Sequence, residues 1–385
     1  MAEILECPLG IDDLLDELAD RLKNNNASDL HLQEGEPAGL RIVAGLSPQN
    51  DLGTMNGTVL NCFLERLLNK TQLDKLESSG AVDAGIYLKD MRLRLAAFKH
   101  YGGIAISLRR FPSKPPTFQD INLPTIIKRF ANLPRGLVIF CGPTGCGKST
   151  TASAILNLIN SQRRAHIITI EEPIEFIHIS KVSLVAHREV GIHTTSFANA
   201  LREALREDPN VLFVGEMRDR ETIELALTAS ETGHLVFSTL HTSGAVGSIS
   251  RIIDAFDAGS RDTIRTQLSM VLEGVVSQIL VPSKDGSKRV PICEVLIPNS
   301  AVRHLIRENK IEQIPNIIQA GSHEGMLSFN GHIQQLVKAG LIDVAGGLDA
   351  TGEGWRLAEI IENKNQPEFI KDIKDIKDIK DPKDQ

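Results

Sequence analysis

Residues 136–149 read GLVIFCGPTGCGKS, an apolar run that leads into a loop matching GxxxxGK[ST] at every fixed position. A strand, such a loop and then a helix make a phosphate cradle. The glycines let backbone N–H groups approach phosphate oxygens, Lys148 brings a point charge to the β and γ phosphates, Ser149 offers a hydroxyl to Mg²⁺, and the helix adds its positive end. The expected contact residues are Gly142, Pro143, Thr144, Gly145, Cys146, Gly147, Lys148, Ser149 and Thr150, with Cys146 a small residue at a variable position of the loop. The text that follows constrains the fold further. Strand-like AHIITI, VLFVG and HLVFSTL alternate with helical SFANALREAL and RETIELALTA, which is the pattern of a mostly parallel sheet covered on both faces.

At 385 residues and 42% hydrophobic the chain is long enough for two cored domains. Residues 10–24 form an amphipathic pattern. SDLHL and GLRIVAG read as short strands, residues 59–68 and 71–77 as helices, and AVDAGIYL, MRLRLAAF and GIAISLRRF as three more strands. In the last of these the alternation places Arg109 on the face opposite the buried one. This predicts an α+β domain over residues 1–110, a Pro-rich linker over 111–124, an α/β core over 125–298 and a helical region over 299–345. From His241 onward the text reads as mainly helical, with RVPICEVLI as one strand. Residues 346–385 end in IKD repeats that have little to bury and are expected to be disordered.

Composition excludes several classes. Net charge is −7, and no Lys/Arg block or basic strip with interleaved aromatics suggests nucleic acid. Five cysteines at irregular spacing, with no CxxC pair, fit neither a disulfide framework nor a zinc ribbon. The N-terminal text MAEILECPLGIDDLLDEL lacks the basic start and apolar core of a signal peptide, and no run approaches the roughly 20 apolar residues of a membrane span. A cytoplasmic location is therefore expected.

Hydrolysis needs more than a cradle: water must be activated and transition-state charge met. Candidates stand at strand ends, where ligands of parallel sheets bind. They are Glu171 and Glu172 in TIEEPIEF, Glu216 after VLFVG, and His241 after LVFSTL; His234, at the start of that strand, lies at the other end by the same logic.

Taken together, SDLHL, GPTGCGKST, EEPIEF, HREVG, REALREDPNVLFVGEMRDRETI, TGHLVFSTLHT and AVRHLIREN resemble the type IV pilus retraction ATPases, the PilT family of secretion-type hexameric motors, over residues 10–342. The resemblance implies an N-terminal PAS-like domain and a RecA-like ATPase domain in a ring of six. It also implies ATP with Mg²⁺ and an inner-membrane pilus platform protein as partner at the cytoplasmic face of that membrane. TIEEPIEF corresponds to the family's acidic box, LFVGEMRD to its atypical Walker B motif with Glu216 as base, and TGHLVFSTLHT to its histidine box. Arg92, Arg94 and Arg109 match arginines that reach the γ phosphate of a neighbouring subunit, a task suited to a planar, permanently charged group. AVRHLIREN matches a segment tied to retraction. By spacing alone it is a packed helix, with Val302, Leu305 and Ile306 on one stripe and Arg303 with Arg307 on a solvated edge. The sequence departs from the family in Glu172, where Asp is usual, in His100-Tyr101-Gly102-Gly103, where an arginine-containing turn is usual, and in His304. A secretion or pilus-extension ATPase and a nucleotide-dependent switch without efficient hydrolysis stay open as alternatives.

Overall fold

A computed structural model describes residues 10–343 apart from 43, 44, 113 and 287; the IKD tail lies outside the described residues. The chain divides into two compact units that interleave in sequence. One holds residues up to 115 with 170–179 and 187–200; the other holds 116–169, 180–186 and residues from 201 on.

In the first unit, helix α1 (Ile11–Asn24) buries Leu14, Leu15, Leu18, Ala19 and Leu22, one stripe at helical spacing, while Asp12 and Asp13 sit in its first turn and Arg21 and Lys23 in its last, matching the helix dipole at both ends. Strands β1 (Asp29–Gln33), β2 (Gly39–Ile42), β3 (Gly45–Pro48), β4 (Ala81–Leu88), β5 (Met91–His100) and β6 (Gly103–Arg110) form a six-stranded sheet in the order β3-β2-β1-β6-β5-β4. Every pairing described in this sheet is antiparallel. Helix α2 (Gly57–Leu67) is capped by the Asn56 side chain, and α3 (Lys70–Ser79) by a reciprocal Asn69–Gln72 capping box. Phe63 and Leu60 of α2 join Leu93, Leu95 and Leu108 of the sheet in one core.

The second sheet has seven strands: β7 (Gly136–Cys141), β8 (His166–Glu171), β9 (Leu184–Glu189), β10 (Val211–Val214), β11 (Leu235–Leu240), β12 (Leu272–Pro282) and β13 (Arg289–Leu296), in the order β13-β12-β7-β11-β10-β8-β9. β12, β7, β11 and β10 run parallel, and β13 returns antiparallel to β12. β7, β10 and β11 are buried at every position, as strands covered on both faces must be. The helices are α4 (Lys148–Gln162), α5 (Phe197–Ala204), α6 (Arg220–Glu231), α7 (Gly244–Asp254), α8 (Arg261–Val271), α9 (Ser300–Arg307), α10 (Ile314–Ala320) and α11 (Phe329–Lys338).

Two readings of the C-terminal half need correction. The stretch expected to be mainly helical after His241 contains β12, an eleven-residue strand beside β7. It follows α8 without an intervening residue, so no turn signal marks the change, and a mostly apolar run without a period of two does not distinguish strand from buried helix. In α9, Val302, Leu305 and Ile306 are buried as the spacing implies. Arg303, however, is no solvated edge. Its Nη1 donates to the carbonyls of Ser269 and Met270 at 2.8 and 3.0 Å, and its Nη2 to Glu273 Oε1 at 2.8 Å. It thereby fills the open carbonyls at the C-terminal end of α8.

Candidate functional site

The phosphate loop leaves β7 at Cys141 and enters α4 at Lys148. Two of its glycines are required by space as well as by backbone angle. A Cβ on Gly142 would lie 2.2 Å from the Gln278 carbonyl oxygen and 2.7 Å from Cys146 Sγ, and Gly147 has φ +90°, a region that side chains disfavour. Pro143, Thr144 and Gly145 are exposed, whereas Cys146 is buried and its thiol is pushed above the usual range by that burial. It is therefore a packing residue under the loop. Lys148 is 8% exposed, and its Nζ donates to the carbonyls of Gly142 and Pro143 at 2.9 and 3.0 Å. Its charge is thus held at the mouth of the loop. Ser149 and Thr150, half-buried, occupy the first turn of α4, where helix N–H groups have no partner within the helix.

Because β7, β11 and β10 run parallel, with Leu240 opposite Cys141 and Ser238 opposite Val214, their carboxyl ends deliver three groups to one edge: the loop, His241 and Glu216. Side chains of β11 fix the end of β10. Ser238 Oγ donates to the Val214 carbonyl at 2.8 Å and Thr239 Oγ1 to that of Gly215 at 2.5 Å. Glu216, its side chain 18% exposed, faces Arg218 Nε at 2.8 Å and His241 Nε2 at 3.5 Å through Oε2. The other ring nitrogen of His241, Nδ1, lies 3.5 Å from Lys148 Nζ and 3.4 Å from Thr144 Oγ1. A neutral imidazole that accepts from the Lys148 ammonium at Nδ1 carries its ring proton on Nε2, the nitrogen that faces Glu216. Lys148, His241, Glu216 and Arg218 form one chain of contacts along the loop. Arg218 was not among the residues singled out from sequence, although its place two residues after Glu216 was a signal within reach.

His234 does not join this group. It precedes β11, so it lies seven residues, about 23 Å, from His241 at the opposite end of the strand. There its Nδ1 meets the Ala229 carbonyl at 3.0 Å, near the end of α6.

The remaining candidates lie in the first unit. Glu171 is buried, with Oε1 3.9 Å from His187 Nδ1, and Glu172 is exposed. Arg92 is enclosed. Its Nη2 reaches Glu189 Oε2 at 3.1 Å, and its Nη1 donates to the Ile174 carbonyl. Glu189, 4% exposed, also accepts from the backbone of Gly85 and Ile174, each at 3.2 Å. Sequence reading passed over this buried acceptor, whose partners are 15 to 104 residues away. Arg94 makes a forked pair with Asp83. Arg109 projects as the alternation implies, 65% exposed, and engages Asp29 through Nε at 2.7 Å.

Ser149 suits a magnesium ion, a hard cation that prefers oxygen and retains several waters. Among the described residues there is no cluster of three acidic, His or Cys side chains that could hold a metal; the Ser149 hydroxyl is the oxygen the start of α4 would offer one.

Residues 10–341 match the family described as type II/IV secretion system protein. The chain is 47% identical to the twitching motility protein of Neisseria gonorrhoeae, over 76% of this chain and 78% of that protein. It is 43% identical to the type IV pilus retraction ATPase PilT of Pseudomonas aeruginosa, over 82% of this chain and 92% of that one. A crystal structure of the pilus retraction motor PilT with bound ADP matches with TM-score 0.80 at 40% identity, covering 89% of this chain and 96% of that structure.

Proposed function

The chain belongs to the type II/IV secretion system protein family, among its pilus retraction ATPases, and from that membership we propose that it hydrolyses ATP to drive type IV pilus retraction. The observation that carries the chemistry is the contact chain from Lys148 through His241 to Glu216, set along a complete phosphate loop. In this reading the loop N–H groups and the start of α4 hold the phosphates, and Lys148 exchanges its two carbonyl partners for β and γ phosphate oxygens. Glu216 accepts a hydrogen bond from the attacking water and polarises it. His241 holds Glu216 in place through Nε2–H and carries the link to Lys148 and Thr144. Ser149 would hold magnesium, which supplies charge neutralisation at the transferred phosphate.

We read the first unit as PAS-like, the second as RecA-like, and the working form as a ring of six in which arginines of one copy serve the nucleotide of the next. Exposure favours Arg109 for that task, with Arg94 next. Arg92, 11% exposed and paired with Glu189, would first have to give up a buried ion pair. The same reading names an inner-membrane pilus platform protein as partner and the cytoplasmic face of that membrane as the working place. No helix among the described residues is long and apolar enough to cross a bilayer.

Glu216→Gln keeps the size and removes the base. We expect it to bind ADP and ATP as the wild type does and to lose about a hundredfold or more in turnover, while Lys148→Ala loses nucleotide affinity as well. Phosphate release by Glu216→Gln at near wild-type rate would remove Glu216 from this role.

A further inference from the structure

Gln278 stands in the middle of β12, 1% exposed, directly beneath the phosphate loop. It meets the loop at three points. Its Nε2 donates to the Cys146 carbonyl at 2.7 Å, its own carbonyl oxygen occupies the space a Gly142 Cβ would need, and Nε2 lies 3.1 Å from where a Gly147 Cβ would sit. Its Oε1 is buried and accepts no hydrogen bond from the described residues. A buried amide with an unfilled acceptor is a poor stability element, and an apolar side chain of the same shape would avoid the penalty. The bond to Cys146 therefore needs a reason other than stability.

The peptide that joins Cys146 to Gly147 supplies it. In a trans peptide the C=O of one residue and the N–H of the next point in opposite directions. With the Cys146 carbonyl drawn down to Gln278, the Gly147 N–H points away from β12, toward the concave side of the loop. Gly147, at φ +90°, has little intrinsic resistance to reorientation of this peptide. Without the donor the carbonyl is free to swing up and present a negative dipole where phosphate oxygens are to bind. We propose that Gln278 is a positioning residue that locks the Cys146–Gly147 peptide in the phosphate-binding orientation. This rests on the reading that the loop binds ATP.

The test uses the full chain, with ADP and ATP titrations, steady-state kinetics and thermal unfolding measured in parallel. Gln278→Met preserves length and apolar bulk and deletes the donor. It is expected to raise the ADP dissociation constant and the ATP KM about tenfold, with kcat within about threefold and the unfolding midpoint not lowered. Gln278→Glu donates to Cys146 only when protonated, and burial favours that form; the ratio of its KM to the wild-type KM should fall as pH is lowered from 8 to 6. Unchanged nucleotide affinity in Gln278→Met, or a lowered unfolding midpoint with KM unaltered, overturns the proposal. So does a KM ratio for Gln278→Glu that is flat with pH. A wild-type chain that binds no adenine nucleotide overturns the functional reading and the proposal with it.

Discussion

His241 is the residue on which the site's connectivity depends, because its two ring nitrogens face different partners: Nδ1 faces Lys148 and Thr144, Nε2 faces Glu216. Losing both contacts leaves the phosphate loop itself intact but Glu216 without its partner, and should disturb turnover more than binding. We therefore expect His241→Ala to lower kcat about tenfold to a hundredfold with a smaller change in KM, measured by steady-state phosphate release. Equal losses in binding and turnover would instead make His241 a nucleotide ligand. At this scale the sequence was informative for Lys148, Ser149, Glu216 and His241, since each stands at a strand or helix end that local pattern locates. It was uninformative for Glu189, whose partners Gly85 and Arg92 lie about a hundred residues away, and for the confinement of Arg92, whose alternation on β5 looks the same whether the outward face meets water or protein.

Among the elements, α9 shows how a helix read as merely packed can hold others together. Arg303 engages two carbonyls at the end of α8 and the first acidic side chain of β12 with one planar fork. Arg303→Ala should destabilise the protein by about 1.5–3 kcal/mol, the scale of charged hydrogen bonds, read from denaturant unfolding. Arg303→Lys should recover only part of that, because an ammonium cannot reproduce the fork. A loss of retraction in these variants with no loss of stability would show that the segment acts through a partner instead. Sequence reading missed β3, β9 and β12, and for β12 the reason is physical: LEGVVSQILVP is buried on both faces along most of its length, so it shows no period of two, and α8 runs into it without a break. Missing β12 also hid Gln278, which has meaning only once that strand lies beside the phosphate loop.

For the whole molecule, pH provides a test of packing on β13, where Cys293 stands opposite Gln278. His332, on α11, is 4% exposed and accepts from the Cys293 N–H at 2.9 Å through Nδ1; burial holds its pKa down from 6.5 to about 4. Above pH 6.5 the imidazole is neutral in the folded and unfolded chain alike and pH has no effect through it. As pH falls below 6.5 the unfolded chain takes up a proton that the folded one refuses, so stability declines until the folded pKa is reached. The loss should be about 1.4 kcal/mol by pH 5.5, and His332→Gln, which keeps an acceptor but cannot titrate, should flatten that part of the stability profile. A profile unchanged by the substitution would mean that His332 titrates normally.

The sequence by itself determined the phosphate loop, the alternation of strands and helices around it, and the strand ends that carry Glu216 and His241, because each depends on residues adjacent in the chain and on a period that burial imposes. The tertiary structure alone decided that β12 lies beside β7 and sets Gln278 under the loop, 132 residues from the carbonyl it holds. It alone decided that Arg303 closes α8 and that Arg92 is shut into an ion pair. Such contacts join groups whose separation along the chain bears no relation to their distance in space, and no local pattern carries that information.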